Sequence, residues 1–348
     1  MIGKKQQLGQ YYTRTNPFAQ ARFHKWINSI PNYPNISVVE PFAGSNSIVQ
    51  MMLATYPELS QSKWTAFDID PEAQGANQVP GLEVKQMDTI SSFPTGFNLC
   101  ITNPPYLAKN SATRKRSSID FGIFQDLFEI SLDVMLRSCA WVAAIVPESF
   151  ITRGIFLERL EFVISLTSDM FDDTEFPVCL AVFSEQQTGQ DFEIWRNEIF
   201  LGNYSQLMLA RDNLLTLVRN GLFTFNDPTG PIGLYAVDMT KGPSIRFVPG
   251  KEIDPATIKH SSRAITRITP TLAAGYSSDV IVNANKVLAE YRAQTNDVFL
   301  TSFKGLRDDG QYRRRLDWHT ATRVLATAIL MTNDDASTEI LPSPKFPW

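Results

Sequence analysis

The chain has 348 residues, 43% hydrophobic and 20% charged, with a formal net charge of −4. This is the composition of a globular protein of one large or two ordinary domains, and it excludes a fibrous or low-complexity chain. No apolar run reaches the roughly 18 residues of a membrane span, the opening MIGKKQQLGQYYT lacks a leader's apolar core, and Cys100, Cys139 and Cys179 stand singly, so a reduced cytoplasmic setting with no disulfide or zinc framework is expected.

In chain order, PFAQARFHKWINSI (17–30) carries its apolar residues at helical spacing behind Pro17. Ile36 to Val39 then reads as a short buried strand, and 46–55 as a helix capped by Ser45 or Asn46. KWTAFDIDPEA (63–73) and LEVKQMD (82–88) read as strands ending in acid, and FNLCITNPPY (97–106) as a fourth strand. FGIFQDLFEISLDVML (121–136) is an amphipathic helix, AWVAAIVP (140–147) a fifth strand, and FVISL and VCLAVF supply two further apolar runs. Alternating strands and helices predict an α/β, doubly wound parallel sheet covered on both faces. SEQQTGQDF (184–192) marks a change of rhythm, so the expected domains are 1–184 and 185–348. The second is turn-rich, with a helix over 280–293.

Ligands of an open parallel sheet bind at the carboxyl ends of the strands. In VVEPFAGSNS, Glu40, Pro41, Phe42, Ala43 and Gly44 form a strand–turn–helix entry without the three-glycine dinucleotide fingerprint. Glu40 suits an amine-bearing ligand rather than a phosphate. Asp68, ending the next strand, stands where an acid grips ribose hydroxyls. Asp88, ending the third, could accept from an adenine amino group. An amine, a ribose and an adenine together describe S-adenosylmethionine. Asp68 and Asp70 lack a third ligand at metal spacing, so no metal is expected.

The fourth strand stops on Asn103-Pro104-Pro105-Tyr106. Two prolines cannot continue a central strand. They hold an Asn oxygen and a backbone carbonyl as two fixed acceptors, a pair suited to both hydrogens of a planar amino group. Tyr106 offers a face for stacking a nucleobase. Lys109, Arg114, Lys115 and Arg116 follow at once and suit flanking phosphates.

GQYYT (9–13), EPFAGS (40–45), FDID (67–70), MD (87–88), NPPY (103–106) and FDDTEFPVCLAVF (171–183) stand in the order of the gamma-group DNA adenine-N6 methyltransferases, which residues 1–184 resemble. The resemblance implies a Rossmann-like sheet of seven strands, the last antiparallel, binding S-adenosylmethionine. It implies a donor site at Thr13, Glu40, Pro41, Phe42, Ala43, Gly44, Asp68, Ile69, Asp88 and Asn103, with Phe42 acting through its backbone. It implies Asn103 and Pro105 on the target amine, and Tyr106 and Phe171 on either side of a flipped adenine. It further implies a C-terminal mixed domain that recognises double-stranded DNA, a monomer on DNA, and a possible cognate restriction endonuclease.

In the second half, basic residues gather at 259–267 and 304–315. Stripes on an acidic body suit a nucleic-acid groove. Lys259, Arg263, Arg267, Arg313, Arg314 and Arg315 are the candidate DNA contacts. His24, His260 and His319 form no triad, and no Pro-Cys nucleophile is present. Methylation of RNA, of a release-factor glutamine amide or of cytosine N4, and a non-catalytic DNA-binding subunit, stay open beside adenine N6.

Overall fold

Nine strands of the computed structural model form one sheet, and the first seven of them position the site. The structure describes residues 16–71, 79–114, 120–167, 176–186, 189–259, 263–271, 278–333 and 340–341. The strands are β1 (Ser37–Glu40), β2 (Lys63–Asp68), β3 (Val84–Gln86), β4 (Leu99–Thr102), β5 (Trp141–Pro147), β6 (Leu160–Leu166), β7 (Val178–Phe183), β8 (Glu193–Arg196) and β9 (Ile199–Asn203). Their order is β3-β2-β1-β4-β5-β7-β6-β8-β9. β1 to β5 run parallel, and β7 runs antiparallel to both β5 and β6.

The expectation of a mixed α/β fold with a large, mostly parallel sheet holds, and β7 is the reversed strand. β4, β5 and β7 are apolar almost throughout and buried along their lengths. That is the pattern of strands covered on both faces. The sheet is wider than the expected seven strands. β8 pairs parallel with β6, and β9 antiparallel with β8. Arg22 fastens this edge, donating to Glu161 of β6 at 2.9 Å and to Glu193 of β8 at 2.7 Å. β8 and β9 thus belong to the same sheet as β6, and the compact units are Met1–Asn203 and Tyr204–Trp348. The boundary moves from 184 to 203 because the outer edge of β6 is completed by the strands that follow.

Helices α1 (Ala21–Ile27), α2 (Ser47–Thr55), α3 (Lys109–Arg114) and α4 (Leu127–Ser138) belong to the first unit. α1 buries Phe23, Trp26 and Ile27. α4 starts later than the expected 121, because Asp126 caps it by accepting from Phe128 N–H and Gly122 turns the chain with φ 49°. The same carboxylate accepts from Leu107 N–H at 2.9 Å. One side chain thus ties the start of α4 to the segment after β4.

The second unit has α5 (Tyr204–Leu214), α6 (Ser278–Thr295) and α7 (Trp318–Thr332). A small antiparallel sheet runs in the order β10 (Phe223–Phe225), β13 (Ile265–Pro270), β11 (Ile232–Tyr235), β12 (Arg246–Pro249), and β14 (Thr301–Leu306) pairs with β15 (Tyr312–Arg315). Its apolar core joins Ile232, Leu234, Phe247 and Ile268 of the sheet to Ala284, Leu288 and Tyr291 of α6 and Val324, Leu325 and Ala328 of α7. Asp238, fully buried, accepts two bonds from Arg292 at 2.9 Å and one from Arg307 at 3.0 Å. Burial works to raise its carboxyl, but the Arg292 guanidinium and the Ser244 and Ile245 N–H groups hold it below the ordinary range. No helix among the described residues is long and apolar enough to cross a membrane.

Candidate active site

The strand order reverses direction between β1 and β4, and the crevice of such a sheet opens at the carboxyl ends of those strands. Glu40 is the last residue of β1 and is fully buried. Its Oε1 accepts from Phe42 N–H at 3.0 Å and from Thr102 Oγ1–H at 2.5 Å. Its Oε2 is buried and has no hydrogen-bond partner among the described residues. Burial, reinforced by the charge of Asp68, pushes the Glu40 carboxyl up to about 8, against the opposing bonds from Thr102 and Phe42. An orphaned buried acceptor is costly, and a cationic amine supplies what this one lacks.

Asp68 ends β2 and locks the neighbouring turn. Its Oδ2 accepts from Gly44 N–H and its Oδ1 from Asp70 N–H, both at 2.9 Å. Gly44 has φ 49°, a left-handed conformation suited to glycine. Asn46, at the head of α2, also stands left-handed at φ 60° and makes no capping bond. Its Oδ1 is a second buried acceptor without a partner among the described residues. Thr89 Oγ1–H donates to the Pro41 carbonyl at 2.9 Å, tying the loop after β3 to the loop after β1. Ile69 stands half exposed beside Asp68. Asp88 is exposed and closes its own turn, accepting from Ser91 Oγ–H at 2.6 Å and from Ile90 N–H at 3.2 Å. Pro41 and Ala43 are buried and Phe42 half-buried, and Phe42 presents its backbone N–H to Glu40.

Asn103 follows β4 directly, next to the Thr102 that bonds Glu40. Asn103 and Pro105 are half-buried; Pro104 and Tyr106 are buried. The Tyr106 ring meets Phe128 edge-on, with centroids 6.4 Å apart at 90°. It faces Phe176 at 6.4 Å and 33°, the wide end of the roughly 4.5–7 Å of ring contacts. Phe176, just before β7, is the aromatic partner among the described residues; Phe171 lies outside them. Thr13, Lys115 and Arg116 also lie outside, and Arg114 is described only in its backbone as the end of α3. Lys109 donates from Nζ to the Gly122 carbonyl at 3.3 Å.

The structure thus brings Glu40, Asp68, Gly44 and Asn103 to one edge of the sheet. Sequence reasoning missed Thr102 and offers Asn46 only as a helix cap. Thr102 acts only through the register of β4 beside β1. Phe176 had a signal, an aromatic–proline pair at the mouth of an apolar run.

The basic candidates of the second unit divide. Lys259 and Arg263 are exposed, and the Arg263 guanidinium sits 5.0 Å over the Trp318 ring, itself stacked on Phe225 at 4.7 Å. Arg267 donates to the Gly230 carbonyl at 2.9 Å and Arg313 to the Asp238 carbonyl at 2.6 Å; both are half-buried, as is Arg315. Arg314 corrects its expectation. It is 3% exposed and donates to Ser302 Oγ at 2.6 Å, because β15 alternates and turns this residue inward.

The order β3-β2-β1-β4-β5-β7-β6, with β7 antiparallel to both neighbours, is the arrangement of seven strands with the last reversed that the resemblance implied. No family model and no curated protein matches the chain. Among solved structures, the chain is similar to the methyltransferase subunit of a type I restriction-modification system from Streptococcus thermophilus, at 16% identity and TM-score 0.37, covering 54% of this chain and 47% of that one. It is similar to the type I restriction enzyme EcoKI M protein, at 12% identity and TM-score 0.34, covering 47% and 44%. It is similar to the hMettl16 catalytic domain in complex with a 3'UTR hairpin, at 12% identity and TM-score 0.27, covering 50% and 72%. The chain spans about half the length of the two restriction-system proteins.

Proposed function

We propose that the protein transfers a methyl group from S-adenosylmethionine to the N6 amino group of an adenine flipped out of a specific double-stranded DNA sequence, as the modification enzyme of a restriction-modification system. One observation carries the reading. Asn103-Pro104-Pro105-Tyr106 follows β4 directly, beside a buried carboxylate one oxygen of which has no partner among the described residues.

The bound donor supplies an electrophilic methyl on a sulfonium. Glu40 Oε2 would take the donor's ammonium, with Asn46 Oδ1 as a second acceptor at the same turn. Asp68 would hold the ribose hydroxyls, Ile69 would lie against the adenine, and Asp88 would accept from its amino group. Thr13 and the backbone from Pro41 to Gly44 would complete the donor site. Asn103 Oδ1 and the Pro104 or Pro105 carbonyl would accept the two hydrogens of the target amine. That grip turns the nitrogen lone pair toward the methyl. It strengthens as the nitrogen becomes positive, so it favours the transition state over the ground state. Alignment supplies most of the remaining acceleration, and the proton leaves after the methyl arrives.

A stacked, paired adenine cannot reach this edge, so the base must be extruded at about a few kcal/mol. Tyr106 and Phe176 offer two rings to offset that cost. Phosphates flanking the base would meet Lys109, Arg114, Lys115 and Arg116. The second unit would read the sequence, with Lys259, Arg263, Arg267, Arg313 and Arg315 as its contacts.

The test is transfer of labelled methyl from S-adenosylmethionine to duplex DNA. Wild type labels the DNA, and Asn103→Ala lowers the rate by at least about 100-fold while the protein stays folded and binds the donor. Equal labelling by Asn103→Ala removes the proposed grip.

A further inference from the structure

We propose that Ile123 enters the DNA stack where the target adenine leaves it, as an apolar wedge that keeps the base extruded. This role presupposes the adenine extrusion proposed above. It adds a residue that neither the sheet edge nor the Asn103–Tyr106 segment supplies.

Ile123 is 86% exposed, the most of any large apolar side chain among the described residues. Single exposed apolar residues are ordinary on a protein surface. This one stands at the tip of a turn, where glycine and small polar residues prevail. The turn runs from Phe121 to Phe124, whose N–H donates to the Phe121 carbonyl at 2.8 Å, and Gly122 N–H donates to Asp120 Oδ1 at 2.9 Å. Its flanks are anchored. Phe121 is buried. Phe124 stacks on Phe156, with centroids 5.9 Å apart at 26°. Gln125 N–H donates to the buried Glu129 carboxylate at 2.8 Å, and Arg153 donates to the same carboxylate at 2.7 Å. Phe156 stands left-handed at φ 57°, a conformation that strains a bulky residue and persists only where the surroundings impose it. A turn buttressed in this way, with a β-branched side chain that is stiff at χ1 at its tip, presents that side chain in a fixed direction.

The turn is also fastened to the chain leaving the amine grip. Lys109 N–H donates to the Gln125 carbonyl at 2.9 Å and Leu127 N–H to the Leu107 carbonyl at 3.1 Å. Ala108 pairs antiparallel with Asp126, and Leu107 directly follows Tyr106. At most about 11 Å of extended chain separates Ile123 from Asp126, roughly the width of a major groove. A duplex held with its target base at Asn103 therefore comes within reach of Ile123. Extrusion bares the faces of the two neighbouring base pairs. A branched aliphatic side chain covers those faces and removes apolar surface from water. It carries no polar group to be stranded between them. Inserted apolar side chains hold unstacked steps open in this manner.

The experiment compares wild type, Ile123→Ala and Ile123→Leu on a duplex bearing the sequence that wild type methylates and on a duplex lacking it. Ile123→Ala is expected to lower kcat/KM on the first duplex by about ten-fold or more. Ile123→Leu keeps the apolar bulk and stays within about three-fold of wild type. The Kd for S-adenosylmethionine stays within about two-fold for both variants, as does the Kd for the second duplex, from which no base is extruded. A smaller loss of kcat/KM for Ile123→Ala overturns the proposal, and so does an Ile123→Leu as impaired as Ile123→Ala. Equal losses of affinity for the two duplexes overturn it as well, because they mark a general DNA contact rather than a wedge. A wild type that methylates no DNA overturns the adenine reading itself, an outcome distinct from these three.

Discussion

Glu40 sets the pH behaviour of the protein before any ligand arrives. Its carboxyl is raised from an ordinary 4.5 to about 8, first by burial and then by the charge of Asp68. The folded state therefore holds a proton that the unfolded chain has already lost between those values. Stability falls as pH rises through that window and levels above it. Glu40→Gln removes this slope and stabilises the donor-free protein by of order a few kcal/mol at pH 8, while weakening donor binding. Melting temperatures of both proteins across pH 5 to pH 9 check this, and parallel pH profiles contradict it. Glu40, Asp68 and Asn103 are legible in the sequence because each closes an apolar run at a strand end. Thr102 is not, because only the register of β4 beside β1 brings it to Glu40, and Phe176, for all its local signal, meets Tyr106 only in the fold.

Among the elements, β8 and β9 show where sequence patterning stops being informative. EIWR and IFLGN are short, mixed in polarity, and follow a polar connection. Nothing local says that they extend the sheet rather than start a new domain. Pairing with β6 decides it, and the Arg22 pairs to Glu161 and Glu193 add a contact from α1. A fragment ending at residue 184 would expose the edge of β6, a template for association between chains. Residues 1–203 expressed alone are expected to stay monomeric and bind S-adenosylmethionine, whereas residues 1–184 aggregate. Light scattering of the two fragments checks this, and an equally monomeric shorter fragment contradicts the extended sheet. The late start of α4 has a similar origin. Residues 121–126 continue the helical spacing of apolar side chains, yet Asp126 spends its carboxylate on capping and on Leu107, and Gly122 bends the chain.

At the scale of the whole molecule, the proposed action on DNA asks an acidic chain for cations placed for phosphate rather than for its own core. Burial separates the two kinds. Arg292, Arg307 and Arg314 are committed to Asp238, Asp297, Asp309 and Ser302 inside the second unit, whereas Lys259 and Arg263 reach the surface. The sequence shows where basic residues cluster, but strand alternation decides which of them face out. Replacing Arg263 by Ala is expected to weaken duplex binding and reduce the slope of log K against log salt by about 1. Arg314→Ala lowers stability and leaves the slope unchanged. Titrations at several salt concentrations check both, and a reduced slope for Arg314→Ala contradicts the assignment.

The most direct test of methyl transfer to adenine is to incubate the full-length protein with S-adenosylmethionine and duplex DNA, digest the product to nucleosides, and analyse them by mass spectrometry. The reading of Asn103-Pro104-Pro105-Tyr106 as an amine grip at the end of β4 predicts N6-methyladenine in wild-type reactions and its loss with Asn103→Ala. N4-methylcytosine as the sole product, methyl groups only in RNA or protein, or no methylated nucleoside at all would contradict it.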